Sequence, residues 1–198
     1  FVSSEEARRE SWRRKFDSDV MASAEPNAGH QAIQEWFEAG RHGGVITQNV
    51  DDLHQRSGLA DDRVVELHGN ATYARCLSCG ARYELNELRE QFRSDGEVAP
   101  CRACGGLVKT ATISFGQSMP ESEMAKAQQL VEACDLLIVL GSSLTVYPAA
   151  GFPQYAKQRG ASLAIVNRDA TDQDHLADLV IHESIGDVMS AAVAQLRR

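Results

Sequence analysis

No run of apolar residues approaches the roughly 20 that a membrane-spanning helix needs, so none is expected in this chain. Nor is there an excess of positive charge. Twenty Lys and Arg against 28 Asp and Glu leave a formal net charge of −8, which argues against nucleic acid as a partner and otherwise favours solubility. Internal repeats and low-complexity segments are absent, which removes solenoids and disordered arrays from consideration. No secretory signal is visible, although the sequence opens at Phe1 and not at a methionine. What is present is ordinary in bulk and particular in detail. A chain of 198 residues with 43% hydrophobic content suits one domain, or one domain carrying a small insertion, burying roughly 70% of its unfolded surface. Of its five cysteines, four stand in Cys-x-x-Cys pairs. That usage fits a reducing compartment with a bound metal, and a cytoplasmic protein.

The pattern of elements predicts an α/β fold. Ser3 to Glu6 reads as a capping box opening a charged helix that runs to Phe16. Its arginines (Arg8, Arg9, Arg13, Arg14) read as a solvated face. A second helix is expected from Asn27 to Ala39 with Gly40 as its stop. Gly44–Thr47, Val64–Leu67, Leu136–Leu140, Leu163–Val166 and Leu179–Ile181 read as short buried strands. Val108–Ile113 is a further strand candidate. Ser118-Met119-Pro120-Glu121 reads as a second capping box with Pro in the first turn. Helices are also expected over Ala149–Gln158 and Ser184–Leu196. Apolar strands alternating with amphipathic helices predict a Rossmann-like parallel sheet with helices on both faces. Residues 70 to 110 differ in character. They hold the four paired cysteines, a weak helix at Glu84–Phe92 and a polar loop, and read as an inserted module.

Four constellations carry chemistry. Cys76, Cys79, Cys101 and Cys104 have the spacing of a four-thiolate zinc site, with Gly80, Gly105 and Gly106 giving the look of zinc knuckles. Such a site has no position open for water, so its zinc is structural. Arg75, Arg82 and Arg102 are placed to offset the two net negative charges. Two disulfides or a redox pair are the competing reading. Gly141-Ser142-Ser143 follows a buried strand and can turn amides and hydroxyls toward phosphate or ribose oxygens. Asn167 ends the next strand, where a polar side chain suits ribose recognition. Both also read as plain loops. His68, flanked by Gly69, offers a side-chain type that moves protons near neutral pH, although a lone loop histidine is commonly structural. Ile113-Ser114-Phe115-Gly116-Gln117, with Leu144 to Tyr147, could flank a groove that captures an extended peptide by strand addition.

In their order along the chain these residues resemble the sirtuin family of NAD-dependent protein lysine deacylases. Thr47-Gln48-Asn49-Val50-Asp51-Asp52-Leu53-His54 is similar to the family's nicotinamide-pocket block, and Glu66-Leu67-His68-Gly69 to the block with the catalytic histidine. The four cysteines sit where the family places its structural zinc. Phe115-Gly116 resembles its substrate-contacting segment. Gly141-Ser142-Ser143-Leu144, with Val146 and Pro148, resembles its Gly-Thr-Ser-Leu-x-Val-x-Pro block. Val166-Asn167 resembles its adenosine-ribose contact, and Gly186-Asp187-Val188 falls where it closes over adenine. Two departures stand out. The family's opening strand, its Gly-Ala-Gly-x-Ser loop and the following Asp/Thr-Phe-Arg are not found, so the sequence is expected to lack an N-terminal part. Gln117 stands where the family has Glu, which removes a charge near the peptide groove.

The resemblance implies three parts: 1–40 as the helical segment of a small domain, 41–69 with 108–198 as the NAD-binding domain without its first strand, and 70–107 as the zinc module. It implies His68 as the catalytic base. Gln48, Asn49, Asp51, Gly141, Ser142, Ser143, Asn167, Asp187 and Val188 would bind NAD. Ile113, Phe115, Gly116 and Val146 would bind an acylated-lysine protein or peptide. In the implied reaction the acyl oxygen attacks the ribose carbon as nicotinamide leaves. His68 then activates a ribose hydroxyl, and water completes the release of free lysine and O-acyl-ADP-ribose. Distortion of nicotinamide in its pocket would aid its departure. The competing classes are an ADP-ribosyltransferase or NAD hydrolase on the same fold, and a catalytically silent NAD or ADP-ribose sensor. Neither nucleic acid nor membrane is expected as a partner.

Overall fold

Short, wholly apolar strands need cover on both faces, and the computed structural model, which describes residues 1–17, 23–114 and 116–197, shows how they obtain it. The chain divides into two compact units. One comprises 1–24, 49–52 and 68–118; the other comprises 25–48, 53–67 and 119–198.

The second unit holds the parallel strands. β1 (Val45–Thr47) pairs with β2 (Val64–Glu66), and β6 (Leu136–Leu140) pairs with β7 (Ser162–Val166), which pairs with β8 (Leu179–Ile181). Among the described residues these form a two-stranded and a three-stranded set. Alternation along β6 sends successive side chains to opposite faces. Leu137 packs with Val131, Ala156 and Phe152 from α5 (Glu121–Ala133) and α6 (Phe152–Gln158). Leu140 packs with Ala32, Trp36, Met189 and Val193 from α2 (Ala28–Glu38) and α7 (Ile185–Leu196). Helices on both faces of parallel strands are the architecture the sequence predicts. The short α3 (Leu53–Arg56) follows the β1 loop.

The first unit is antiparallel. β3 (Gly69–Cys76) is the centre of a sheet ordered β4-β3-β5, with β4 at Arg82–Glu84 and β5 at Val108–Thr112. α4 (Leu85–Asp95) and α1 (Glu5–Asp17) cover it. Trp12 is buried among Ala74, Leu88, Val108 and the two cysteines Cys76 and Cys101, and stacks on Phe16 at 5.3 Å. Arg9, Arg13 and Arg14 pair with acids of the same helix, Arg13 and Arg14 with Glu10 at 2.8 and 2.6 Å, as a solvated face does.

Both predicted capping boxes are corrected. α1 is capped by Ser4, whose Oγ accepts from the Ala7 amide at 3.1 Å, so Ser3 lies one residue too early for Glu6 to reach back. α5 has Pro120 as its N-cap and no side-chain cap, because the helix opens at Glu121. The sequence reading placed 25–40 with the first helix. α2 packs on α7, and contacts of this kind put that segment in the second unit.

Candidate functional site

Four sulfurs converge at one end of β3. The Sγ atoms of Cys76, Cys79, Cys101 and Cys104 all lie within 4.8 Å of one another. Cys76 stands 3.5 Å from Cys104 and Cys79 stands 3.6 Å from Cys101. Sulfurs bonded to a tetrahedral zinc at ~2.3 Å are ~3.8 Å apart, whereas a disulfide holds them at ~2.05 Å. The four cysteines are thus positioned to bind one zinc ion, and all are free thiols. Two tight turns build the site. The Gly80 amide donates to the Cys76 carbonyl at 3.0 Å, and the Gly105 amide to that of Cys101 at 2.8 Å. A Cβ on Gly106 would meet Ser78 Oγ at 2.5 Å and Cys76 Sγ at 2.9 Å, so only glycine lets the second turn approach the first.

Tyr83, which sequence reading did not single out, donates its hydroxyl to Cys101 Sγ at 3.1 Å and accepts the Arg102 amide at 2.9 Å. That hydroxyl, against the opposing effect of burial, holds the Cys101 thiol down to about 6. The Cys79 amide lowers Cys76. Cys104 goes the other way, to about 12: the Gly106 amide favours its thiolate, but hydrogen bonding with Cys79 and Cys76 outweighs it. A divalent ion removes that competition, because a coordinating thiol is deprotonated outright. The three arginines expected to offset the thiolates point elsewhere. Arg75 and Arg82 lie over the Tyr73 ring at 5.3 and 4.0 Å, Arg82 also pairs with Glu84, and Arg102 pairs with Glu87.

At the other end of the same unit lies the predicted base. His68 is half-buried, and its carbonyl accepts the Ile113 amide at 2.9 Å. Gly69 adopts φ +71°, and a Cβ there would overlap the Ala111 carbonyl. The turn carrying Asn49 and Asp51 is bonded to the strand that starts at Gly69: the Ala71 backbone amide donates to the Val50 carbonyl at 2.7 Å, and Asn70 Nδ2 donates to Asp52 Oδ1 at 3.1 Å. Gly116 is exposed at φ +81°. Gln117 folds into its own turn, its Oε1 accepting the Ser114 amide at 3.3 Å. Phe115 lies outside the described residues.

In the second unit, parallel register brings three strand ends to one edge. Leu140 pairs with Val166, and Val166 with Ile181. The Gly141 amide donates to the Val166 carbonyl at 2.9 Å, and the Asn167 amide to that of Ile181 at 3.1 Å. The carboxyl end of such strands is where open α/β folds take ligands. Gln48, leaving β1, reaches Ser142 Oγ at 3.5 Å, and Ser142 Oγ also accepts the Leu144 amide at 3.2 Å. Ser143 is bonded to Thr145 at 2.9 Å. Gly141 holds φ +65°, where a Cβ would meet Ile185 Cδ1 at 2.7 Å. Asp187 sits in the first turn of α7, a place that also suits an acid by the helix dipole alone, with Val188 half-buried beside it. The Asn167 side chain donates to the Asp169 carbonyl at 2.7 Å. Val146 and Tyr147 are exposed, at 45% and 70%. A glycine cradle, two hydroxyls, two side-chain amides and a helix N-terminus make a donor set that fits a dinucleotide. A buried amide that the sequence did not flag, Gln173, donates to the Ala150 carbonyl at 2.7 Å and to the Leu144 carbonyl at 3.4 Å, fixing both ends of this loop.

The chain is similar to known proteins in both sequence and fold. A sequence profile described as "Sir2 family" matches residues 1–148. "NAD-dependent protein deacetylase 1" of Bradyrhizobium diazoefficiens is 54% identical over 195 residues, 98% of this chain and 76% of that protein. "NAD-dependent protein deacetylase" of Rhodopseudomonas palustris is 52% identical over 194 residues, 98% and 77% of the two chains. Among solved structures, "Sir2-p53 peptide-NAD+" superimposes with a TM-score of 0.85 at 32% identity, covering 94% of this chain and 77% of the other.

Proposed function

The chain belongs to the Sir2 family, and on that premise we propose that it removes acyl groups, acetyl first among them, from protein lysine side chains in an NAD-dependent reaction that releases nicotinamide and O-acyl-ADP-ribose. The observation that carries this reading is local. The turn bearing Asn49 and Asp51 is hydrogen-bonded to the strand that begins beside His68, which sets a carboxylate, an amide and an imidazole on one short stretch of framework.

Bound NAD supplies a ribose carbon whose nicotinamide can leave. The chain's own residues bind, orient and move protons. Gly141, Ser142, Ser143 and Gln48 offer donors for phosphate and ribose oxygens, with Asn167, Asp187 and Val188 toward the adenosine end. Asp51 accepts from an amide of the ligand, and Asn49 orders a water or a ribose hydroxyl. His68 takes a proton at a ring nitrogen as general base. Ile113, Phe115, Gly116 and Val146 are the residues that would contact an acylated lysine. Cys76, Cys79, Cys101 and Cys104 would hold a zinc ion that ties the two turns of the first unit together and, with four thiolate ligands, would have no position open for the chemistry. Free thiols suit a reducing compartment, which supports cytoplasmic work. The acidic balance supports a protein partner over nucleic acid. No helix among the described residues is long and apolar enough to cross a membrane.

The test is nicotinamide release from NAD, with and without an acetyl-lysine peptide, for wild type and His68→Ala. Release that requires both peptide and His68 is expected, with the variant slower by roughly 10²–10⁴. Release without peptide would move the assignment to a transferase or hydrolase. Binding of NAD with no release would make the protein a sensor.

A further inference from the structure

We propose that Asn70 is a positioning residue, which through Asp52 sets the place of Asn49 and Asp51 relative to His68; this rests on the deacylase reading for its consequence, not for its geometry. Asn70 is 2% exposed, an amide taken almost wholly out of water. Its Oδ1 accepts from the Thr72 amide at 2.8 Å and from Thr72 Oγ1 at 2.6 Å. Its Nδ2 donates to Asp52 Oδ1 at 3.1 Å. The orientation of the amide is forced. A backbone N–H can only donate, so the oxygen faces Thr72; an ionised carboxylate can only accept, so the nitrogen faces Asp52.

What Asn70 holds is an unusual conformation. Asp52 has φ +65°, one of two non-glycine residues with positive φ among those described. A side-chain residue in that region persists when its surroundings hold it there. Asn70 grips its carboxylate, and one residue on, the Ala71 amide grips Val50. Asn49 and Asp51 alternate with these two anchored residues. On the other side, His68 precedes Asn70 by two residues, with Gly69 wedged against the Ala111 carbonyl and the His68 carbonyl bonded to Ile113. The segment 68–72 is thus fixed to β5 and in turn fixes the 49–52 turn. The Asn70 side chain is the polar link between the group proposed to take the proton and the groups proposed to receive nicotinamide. It need touch no substrate to act.

The decisive variant is Asp52→Gly. Glycine adopts positive φ freely, so the backbone turn survives while the acceptor for Asn70 is removed. The expected outcome is a ten- to hundred-fold fall in kcat for nicotinamide release in a protein that stays folded at the assay temperature, with the zinc content and peptide KM of wild type. Asp52→Asn retains an oxygen acceptor and tolerates the same φ, and should stay within about threefold of wild type. Asn70→Ala, which also loses the bonds to Thr72, should lower kcat at least as far as Asp52→Gly, and the double variant should fall no further than Asn70→Ala, because the Asn70–Asp52 link is already broken in it. Wild-type kcat in Asp52→Gly would overturn the proposal, as would multiplicative effects in the double variant. Hydrogen exchange supplies a readout free of activity. In Asp52→Gly, amides of residues 49–53 should exchange faster while those of 136–166 do not change. Unchanged exchange there refutes the clamp. Accelerated exchange in a protein whose wild type deacylates nothing would keep the clamp and refute the deacylase.

Discussion

Glycine at position 69 answers a steric demand that no other residue meets. Its φ is +71°, and a Cβ would run into the Ala111 carbonyl, which is backbone of the neighbouring strand and cannot swing aside. Gly69→Ala should destabilise the protein by about 2–5 kcal/mol, the sum of a left-handed backbone and an overlap in a packed site. A shift of the denaturation midpoint at unchanged m-value measures it, and a wild-type midpoint would mean that the β3–β5 contact is looser than described. A second single-residue prediction concerns Tyr83. Its hydroxyl donates to Cys101 Sγ and is held by the Arg102 amide. Tyr83→Phe keeps the ring and removes the donor, so zinc affinity should fall roughly 10–100-fold, as loss of a partner behind a metal ligand does. Competition with a chromophoric chelator reads this directly, and equal affinities would assign Tyr83 to packing alone. The four cysteines could be singled out from sequence because their chemistry lies in residue type and spacing, whereas His68 becomes a candidate only through the block it resembles. Asn70, Tyr83 and Gln173 could not. An amide or a phenol acquires its role only from what the fold sets opposite it, and Gln173 in a polar loop looks like any solvated residue.

At the level of elements, the strands of the second unit were readable because each is a short apolar run bounded by turn residues, as in Leu136–Leu140. β3 was not, since Gly69–Cys76 has a mixed composition and a register shift between Gly69 and Ala74. α4 runs to Asp95, past the expected Phe92, and stops where Gly96 takes φ +73° with its amide on the Phe92 carbonyl. A glycine at that position is a stop signal that composition-based reading of a polar loop hides. One junction between elements carries a pH prediction. Asp178, just before β8, accepts Lys157 Nζ from α6 at 2.7 Å and the Leu163 amide of β7 at 2.8 Å. The Lys157 hydrogen bond, and then the Leu163 amide, hold its carboxyl below the ordinary carboxylate value. A depressed folded-state value means that the contribution is present above the unfolded value of about 3.9 and is lost as pH falls through the folded one. Wild type should therefore melt above Asp178→Asn at pH 7, and the gap should close progressively below about pH 4. A gap that stays constant down to pH 3 would show that the variant loses packing and not a charge-dependent bond.

The whole molecule combines two ways of making a core. The second unit buries Leu67, Leu163, Ile165, Val131 and Val193 almost completely between parallel strands and helices. In the first, two of the four metal-ligating side chains, Cys76 and Cys101, belong to the same buried cluster as Trp12, Leu88 and Val108. A zinc ion bound there would share its ligands with the apolar core, so its removal is expected to loosen the packing. Small units of this kind draw folding free energy from the metal outright. Withdrawal of zinc by a strong chelator should lower the melting temperature by about 10 °C or more, since a loss of only ~3 kcal/mol moves a unit of 60–100 residues that far. The loss should be uneven. Hydrogen exchange should accelerate over 69–112 and in α1, where Trp12 rests on the cluster, while the β6–β8 strands keep their protection. Deacylation should fall with it, because His68 and the turn bearing Asn49 and Asp51 lie in the unit that loosens. Readdition of zinc should restore both. A metal-free preparation with wild-type melting and full activity would show that the four thiols pack without an ion. The cysteine-rich 70–110 segment stands out in composition, and the unit that contains it spans 68–118 together with 1–24 and 49–52. The inclusion of the distant α1 in its core could not, because a charged helix with a single buried tryptophan gives no sign of the surface that tryptophan will meet.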